Sequence, residues 1–145
     1  MSHRSAPVEA RERVAFPPCA TKKFVRRLKE EGVAAEAVLL STCNRTELYV
    51  VVEDEDDRGR LLDLVAEDRG VGRGDLDRDT YWHTDVGAVR HLFRVASSLD
   101  SLVVGEGQIL GQVREAYRLA TEEDCAGPVL SRLFHTSFRV GKRVR

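Results

Sequence analysis

Cys43 is the residue in this chain best placed to do chemistry. It follows the apolar run Ala37–Ser41 and sits among Thr42, Asn44 and Arg45. A guanidinium beside a thiol favours the thiolate, which is the nucleophilic form. The backbone N–H groups that follow can also meet a developing oxyanion. The same residues equally describe a buried, inert cysteine. His91 comes second: on a helix it shares a side with Ala88, Val95 and Ser98, roughly opposite Phe93. From there it can serve as a general acid or base, or as a hydrogen-bonded structural histidine. A third candidate is the stretch 97–112, which gathers three serines, Asp100, Glu106, three glycines, Gln108 and Gln112. Glycines let backbone approach a ligand, and amides read carboxylate or amino groups; an ordinary strand-to-helix turn fits the spacing as well. Gly105-Glu106-Gly107 lacks the third glycine and the βαβ setting of a dinucleotide loop. The tail Val129–Arg145 carries Arg132, Arg139, Lys142, Arg143 and Arg145 with no acid, either a phosphate-binding patch or a solvated helix face.

The elements that position these groups read as follows. A short helix over Val8–Val14 ends before Pro17-Pro18. Cys19–Glu31 has Phe24, Val25 and Leu28 at helical spacing, with Gly32 as its stop. Ala37–Ser41 and Glu47–Val52 are apolar and β-branched, so they are expected to be two strands joined by a tight corner at Cys43. Leu61, Leu62, Leu64 and Val65 mark an amphipathic helix over Gly59–Arg69, closed by a loop at Val71–Gly74. Tyr81-Trp82-His83 reads as a short third strand. A helix follows from Thr84 or Asp85 to Ser98, with Val86, Val89, Phe93 and Ala96 on its apolar face. Leu102–Val104 reads as a strand, Gln108–Glu122 as a helix, and a last helix starts after Gly127-Pro128. Alternation of helices and strands suits an α+β domain, with helices covering one face of a mixed sheet.

Composition bounds the rest. The chain has 145 residues, 42% hydrophobic and 32% charged, with 23 basic and 24 acidic side chains. That length suits a single domain burying ~70% of its unfolded surface, and the composition excludes intrinsic disorder. No run approaches the ~20 apolar residues of a membrane helix, and no signal-peptide layout is present. A net charge of −1 excludes a globally basic nucleic-acid binder, though not a local patch. Three widely spaced cysteines form no disulfide framework or CxxC knuckle. They point to a reducing cytoplasm and to no metal site.

Taken together, the motifs resemble glutamyl-tRNA reductase, the enzyme opening the C5 route to tetrapyrroles (porphyrins and haem). Leu40-Ser41-Thr42-Cys43-Asn44-Arg45-Thr46-Glu47-Leu48-Tyr49 is similar to the family's nucleophile motif, and the text from Ala96 to Gln112 to its second signature. Tyr81-Trp82-His83, Ala88-Val89-Arg90-His91-Leu92, Ser2–Val8 and Gly141–Arg145 fall where the family has similar text. The resemblance spans essentially the whole chain.

It implies a ferredoxin-like α+β domain in which Cys43 attacks the ester of glutamyl-tRNA(Glu), forming a thioester that NADPH reduces to glutamate-1-semialdehyde. Thr42, Asn44, Arg45, Ser101, Glu106, Gly107, Gln108 and Gln112 would line the substrate pocket. Arg45 would take the substrate carboxylate bidentately, and His91 would orient substrate or move a proton. By the same resemblance residues 1–128 are the catalytic domain, and 129–145 begin the helix leading to NADPH-binding and dimerisation domains absent from this chain. No cofactor site is therefore expected within these residues. The expected activity of this stretch alone is acylation and slow hydrolysis, without reduction. The expected partners are the tRNA, a second subunit through an absent domain, and the next pathway enzyme by channelling. Two departures stand out: many members have an apolar strand before the motif that here opens at Met1-Ser2-His3, so a first strand is expected to be lacking, and Gly107 replaces a proline. Two rivals remain. One is a non-catalytic ferredoxin-like module binding a small molecule or a partner. The other is a cysteine hydrolase, which needs Cys43 and His91 within hydrogen-bonding reach.

Overall fold

A computed structural model describes residues 1–101 and 107–144 of the chain. In chain order it contains α1 (Val8–Arg13), α2 (Pro18–Glu30), β1 (Glu36–Ser41), β2 (Thr46–Val51), α3 (Asp57–Arg69), α4 (Arg73–Asp79), α5 (Val86–Ala96), α6 (Gln108–Glu122) and α7 (Pro128–Val144). The fold is α+β. Among the described residues the sheet is a single antiparallel pair, with Ala37 opposite Val50 and Leu39 opposite Leu48. An isolated antiparallel bridge of Ser2 with Arg45 lies beside the start of β2.

Two strands alone are marginal in water, so this pair depends on the helices around it. Ala37, Val38, Leu39 and Leu40 are all buried although neighbours on a strand point to opposite faces. Both faces of β1 are therefore covered, which corrects the expectation of helices on one face only. α2, α6 and α7 all pack on β1. The core joins Phe24, Val25 and Leu28 of α2 to Val38 and Leu40, to Leu92 and Val95 of α5, to Val113 of α6 and to Phe134 of α7. Each such side chain contributes about 1.5–3 kcal/mol on burial.

Local chemistry explains the helix limits. Proline at N1, where its missing N–H costs nothing, opens α2 and α7. Gly32, at φ +69°, lets the chain leave α2 through the left-handed region. The buried carboxylate of Glu36 accepts from the backbone N–H groups of Leu130 at 2.8 Å and Val129 at 3.2 Å. It thus ties the positive end of α7 to β1.

Three expectations need correction. The loop expected at Val71–Gly74 is confined to Val71 and Gly72, and α4 follows at once; it has one buried apolar side chain, Leu76, and is held by Arg73–Asp77 and Arg78–Asp75 ion pairs. Residues 81–83 form no strand, because among the described residues no neighbouring strand offers them a ladder; their side chains anchor them instead. The buried face of α5 is Leu92, Val95 and Ala96, whereas Val86 is exposed. The expected strand at Leu102–Val104 lies outside the described residues.

α5 and α7 cross closely at Gly141. A Cβ there would stand 2.8 Å from the Ala96 carbonyl oxygen and 3.1 Å from Leu110 Cδ1. Gly141→Ala is expected to lower stability by ~1–3 kcal/mol through overpacking, measured by denaturant unfolding. An unchanged midpoint would contradict this crossing.

Candidate functional site

The β1–β2 corner is built by one hydroxyl. Thr42 Oγ1 accepts from the backbone N–H groups of Asn44 and Arg45, each at 3.2 Å, while Thr42 N–H donates to the Arg45 carbonyl at 2.8 Å. Cys43 stands at the tip with its side chain exposed. The Asn44 and Arg45 amides are already engaged, so they do not supply the free oxyanion donors expected from the sequence. Of the other cysteines, Cys19 is exposed on α2, and Cys125 is buried with its thiol pKa raised by burial.

A small cleft opens at this tip. Thr42, Cys43, Asn44, Arg45, Ser101, Gln108, Ile109 and Gln112 line it. The corner thus meets the first turns of α6 and the exit from α5, and seven of the ten candidate residues come together. Gly107 immediately precedes α6; Glu106 lies outside the described residues. Among the described residues the cleft wall is hydroxyl and amide rather than charge, apart from Arg45.

Arg45 has other commitments. Its side chain is 1% exposed, and Nη1 donates to Glu47 Oε2 at 3.2 Å and Asp100 Oδ2 at 3.1 Å. Nη2 donates to the Asp100 carbonyl at 2.5 Å. Ser98, at φ +62°, turns the chain after α5 so that Asp100 reaches this position. The guanidinium does not stand as a free fork toward the cleft, as the bidentate reading required.

His91 faces the other side of the same network. Its Nε2 bonds Glu47 Oε2, and so does the Tyr81 hydroxyl; the Tyr49 hydroxyl donates to Glu47 Oε1 at 2.7 Å. His83 stacks on His91 with centroids 4.5 Å apart, and Trp82 lies under Arg58 at 5.0 Å. His91, Tyr81 and His83 border a mostly apolar groove along β2 with Leu48, Val50 and Leu62. They do not line the Cys43 cleft. With Nε2 held by Glu47, the Cys43–His91 pair of a cysteine hydrolase is not formed.

The electrostatics follow from burial. Desolvation works to raise the Glu47 pKa, but the His91 hydrogen bond and the Arg45 charge outweigh it and hold it at about 2. Desolvation also opposes the charge on Arg45, and Glu47 and Asp100 more than offset it, so its pKa is raised. Burial and the Glu47 charge push the Tyr49 and Tyr81 phenols up. Burial, then the charge of His91, lowers the pKa of His83. Glu47 is ionised and can only accept, so His91 Nε2 must carry its proton.

Glu47, Tyr49 and Tyr81 are not among the site residues expected from the sequence. A signal was present: Arg45, Glu47 and Tyr49 alternate onto one strand face, and all three are buried. Charged residues on a core-facing strand side imply a satisfied network. Among the described residues no group of acidic, histidine or cysteine side chains is arranged for a metal ion. No described helix is long and apolar enough to cross a membrane.

Comparison with known proteins adds the following. Residues 1–145 match the family described as glutamyl-tRNAGlu reductase, N-terminal domain. The chain is 76% identical over its whole length to a glutamyl-tRNA reductase of Rubrobacter xylanophilus, and 49% identical to one of Marinobacter nauticus; it covers 34% of each. It also superposes on the glutamyl-tRNA reductase structure from Methanopyrus kandleri, with TM-score 0.81 and 35% identity. That match covers all of this chain and 33% of the other. The chain therefore spans about a third of the length of these relatives.

The depressed Glu47 pKa has a consequence for stability. The folded value, about 2, lies below the ordinary 4.5, so its contribution is complete above pH 4.5 and is lost as pH falls toward 2. Linkage makes this ~2–4 kcal/mol. Glu47→Gln is expected to remove that portion of the acid-unfolding profile and to destabilise the chain at pH 7, where Arg45 loses a buried partner. Parallel wild-type and variant profiles between pH 5 and 2 would contradict it.

Proposed function

The chain belongs to the glutamyl-tRNA reductase family, matching its N-terminal domain along its whole length, and on that basis we propose that it carries the acyl-transfer half of the reaction. The observation that supports this most directly is the exposed Cys43 thiol in a cleft of hydroxyl and amide side chains.

The Cys43 thiolate attacks the carbonyl carbon of the aminoacyl ester of glutamyl-tRNA(Glu). A carbon–sulfur bond forms, the carbon–oxygen bond to the terminal ribose breaks, and the ribose hydroxyl leaves with a proton from solvent. The result is a glutamyl thioester, a better hydride acceptor than the ester. Thr42 keeps the corner tight enough to hold the sulfur at the cleft mouth. Asn44, Ser101, Gln108 and Gln112 supply side-chain donors and acceptors for the amino group, the carboxylate and the developing oxyanion. Arg45 acts as a buried cation behind the cleft wall, its charge retained through Glu47 and Asp100. His91 is a positioning residue that holds Glu47, and through it Arg45.

For the whole protein we propose NADPH-dependent reduction of the thioester to glutamate-1-semialdehyde, with a dimer, channelling and a cytoplasmic setting as the family resemblance implies. The described residues do not fit a dinucleotide: their sheet is antiparallel, with no parallel βαβ unit. The division proposed is therefore 1–128 as the catalytic domain and 129–145 as the start of a connecting helix. The ferredoxin-like arrangement belongs to the same proposal. The Ser2–Arg45 bridge, which begins an antiparallel pairing on the outer side of β2, supports it.

Incubating the 145-residue chain with [14C]glutamyl-tRNA(Glu) is expected to give an acid-stable adduct that hydroxylamine or excess thiol removes. Cys43→Ser should leave no such adduct, and Cys19→Ser should leave it intact. An adduct that survives Cys43→Ser would overturn the assignment. Glutamyl-tRNA binding that is unaffected by Cys43→Ser, with no wild-type adduct, would favour the binding-module reading instead.

A further inference from the structure

We infer that the exposed face of α7, together with Arg114 of α6, is the surface on which the tRNA acceptor end lays its phosphates before entering the Cys43 cleft. The inference rests on glutamyl-tRNA being the substrate.

α7 contains Arg132, Arg139, Lys142 and Arg143 and no acidic residue. Arg132, Arg139 and Arg143, spaced by seven and four residues, share one helix side. That side lies opposite the buried Leu130, Phe134, Ser137 and Gly141. All four cations are exposed. Several other arginines hold carboxylates, among them Arg27, Arg60, Arg73 and Arg118, and those that do not, such as Arg26, Arg90 and Arg94, lie on helices that do not gather four cations without an acid. Among the described residues, none of the α7 cations holds a carboxylate, and neither does Arg114. Like charges at i,i+4, as at Arg139 and Arg143, repel one another. Lys142 and Arg143 also complement the negative end of the helix dipole, but Arg132 and Arg139 lie beyond its reach. Bound phosphates would relieve this uncompensated charge on a chain whose net charge is only −1.

The geometry connects this face to the site. α6 and α7 run antiparallel, with Leu110 against Gly141, Arg114 over the Phe138 ring at 5.2 Å, and Tyr117 stacked on Phe134. The first turns of α6 that meet the basic end of α7 also carry Gln108 and Gln112 of the Cys43 cleft. Phosphates following α7 toward Lys142 and Arg143 therefore arrive at the end of α6 that borders the Cys43 cleft.

The test is equilibrium binding of uncharged tRNA(Glu) to the 145-residue chain and to Arg139→Glu/Arg143→Glu. Lys23→Glu/Arg26→Glu, the same charge change on α2, serves as control, and circular dichroism verifies each fold. The α7 variant is expected to bind on the order of tenfold more weakly, with a log–log salt slope shallower by ~2, while the control stays near wild type. Equal losses in both variants, or none in the α7 variant, would overturn the proposal. Acylation of Cys43 by 2′(3′)-O-glutamyladenosine should be the same in the α7 variant and wild type. If neither acylates from any donor, the acyl-transfer reading fails, while the binding comparison still decides where RNA docks.

Discussion

A carboxylate with 5% of its side chain exposed must gather donors or give up its charge, and Glu47 gathers four: Arg45, Tyr49, Tyr81 and His91. Those donors come from β2 and its preceding corner, from residues 80–83 and from α5. The segment 81–83, which has no ladder partner among the described residues, is located by Tyr81 on Glu47 and by His83 on His91. α5 is oriented at one point along its length by His91, and after its end by Asp100 on Arg45. One buried charge thus fixes three segments that the hydrophobic core alone leaves less determined.

The Cys43 cleft and the His91 groove meet back to back at this network. The Arg45–Glu47 pair joins them: Arg45 lines the cleft and closes the corner that carries the thiol, and its guanidinium ends on Glu47, which lines the groove. For the proposed acyl transfer, a mobile thiol would lose the orientation that makes attack on an ester efficient. Rigidity comes from Thr42, which satisfies the corner's amides, and from Glu36, which pins α7 to β1. The helix that carries Gln108 and Gln112 to the cleft packs on both β1 and α7.

Much of this was legible in the sequence. α2, α6 and α7 show apolar residues at helical spacing between proline, glycine and amide punctuation, and the two strands show β-branched runs around a polar corner. The cleft residues were legible because Thr42–Arg45 are contiguous and Ser101, Gln108 and Gln112 share one short stretch. α4 was not, since ion pairs rather than an apolar stripe hold it. Tyr81-Trp82-His83 has strand-like composition, but a strand needs a partner that composition does not reveal. The Glu47 network was hidden by distance: its members are separated by up to 55 residues. For the same reason Arg45 read as a free fork and His91 as a companion of Cys43.

Arg45 and His91 share no hydrogen bond, yet both bond Glu47 Oε2 and are coupled through it. A double-mutant cycle on folding stability, Arg45→Lys and His91→Asn singly and together, tests this coupling most directly. A coupling energy on the order of 0.5–3 kcal/mol is expected, as for residues within one polar network, and it should vanish when the cycle is repeated in a Glu47→Gln background. Additive effects in the Glu47 background would contradict it.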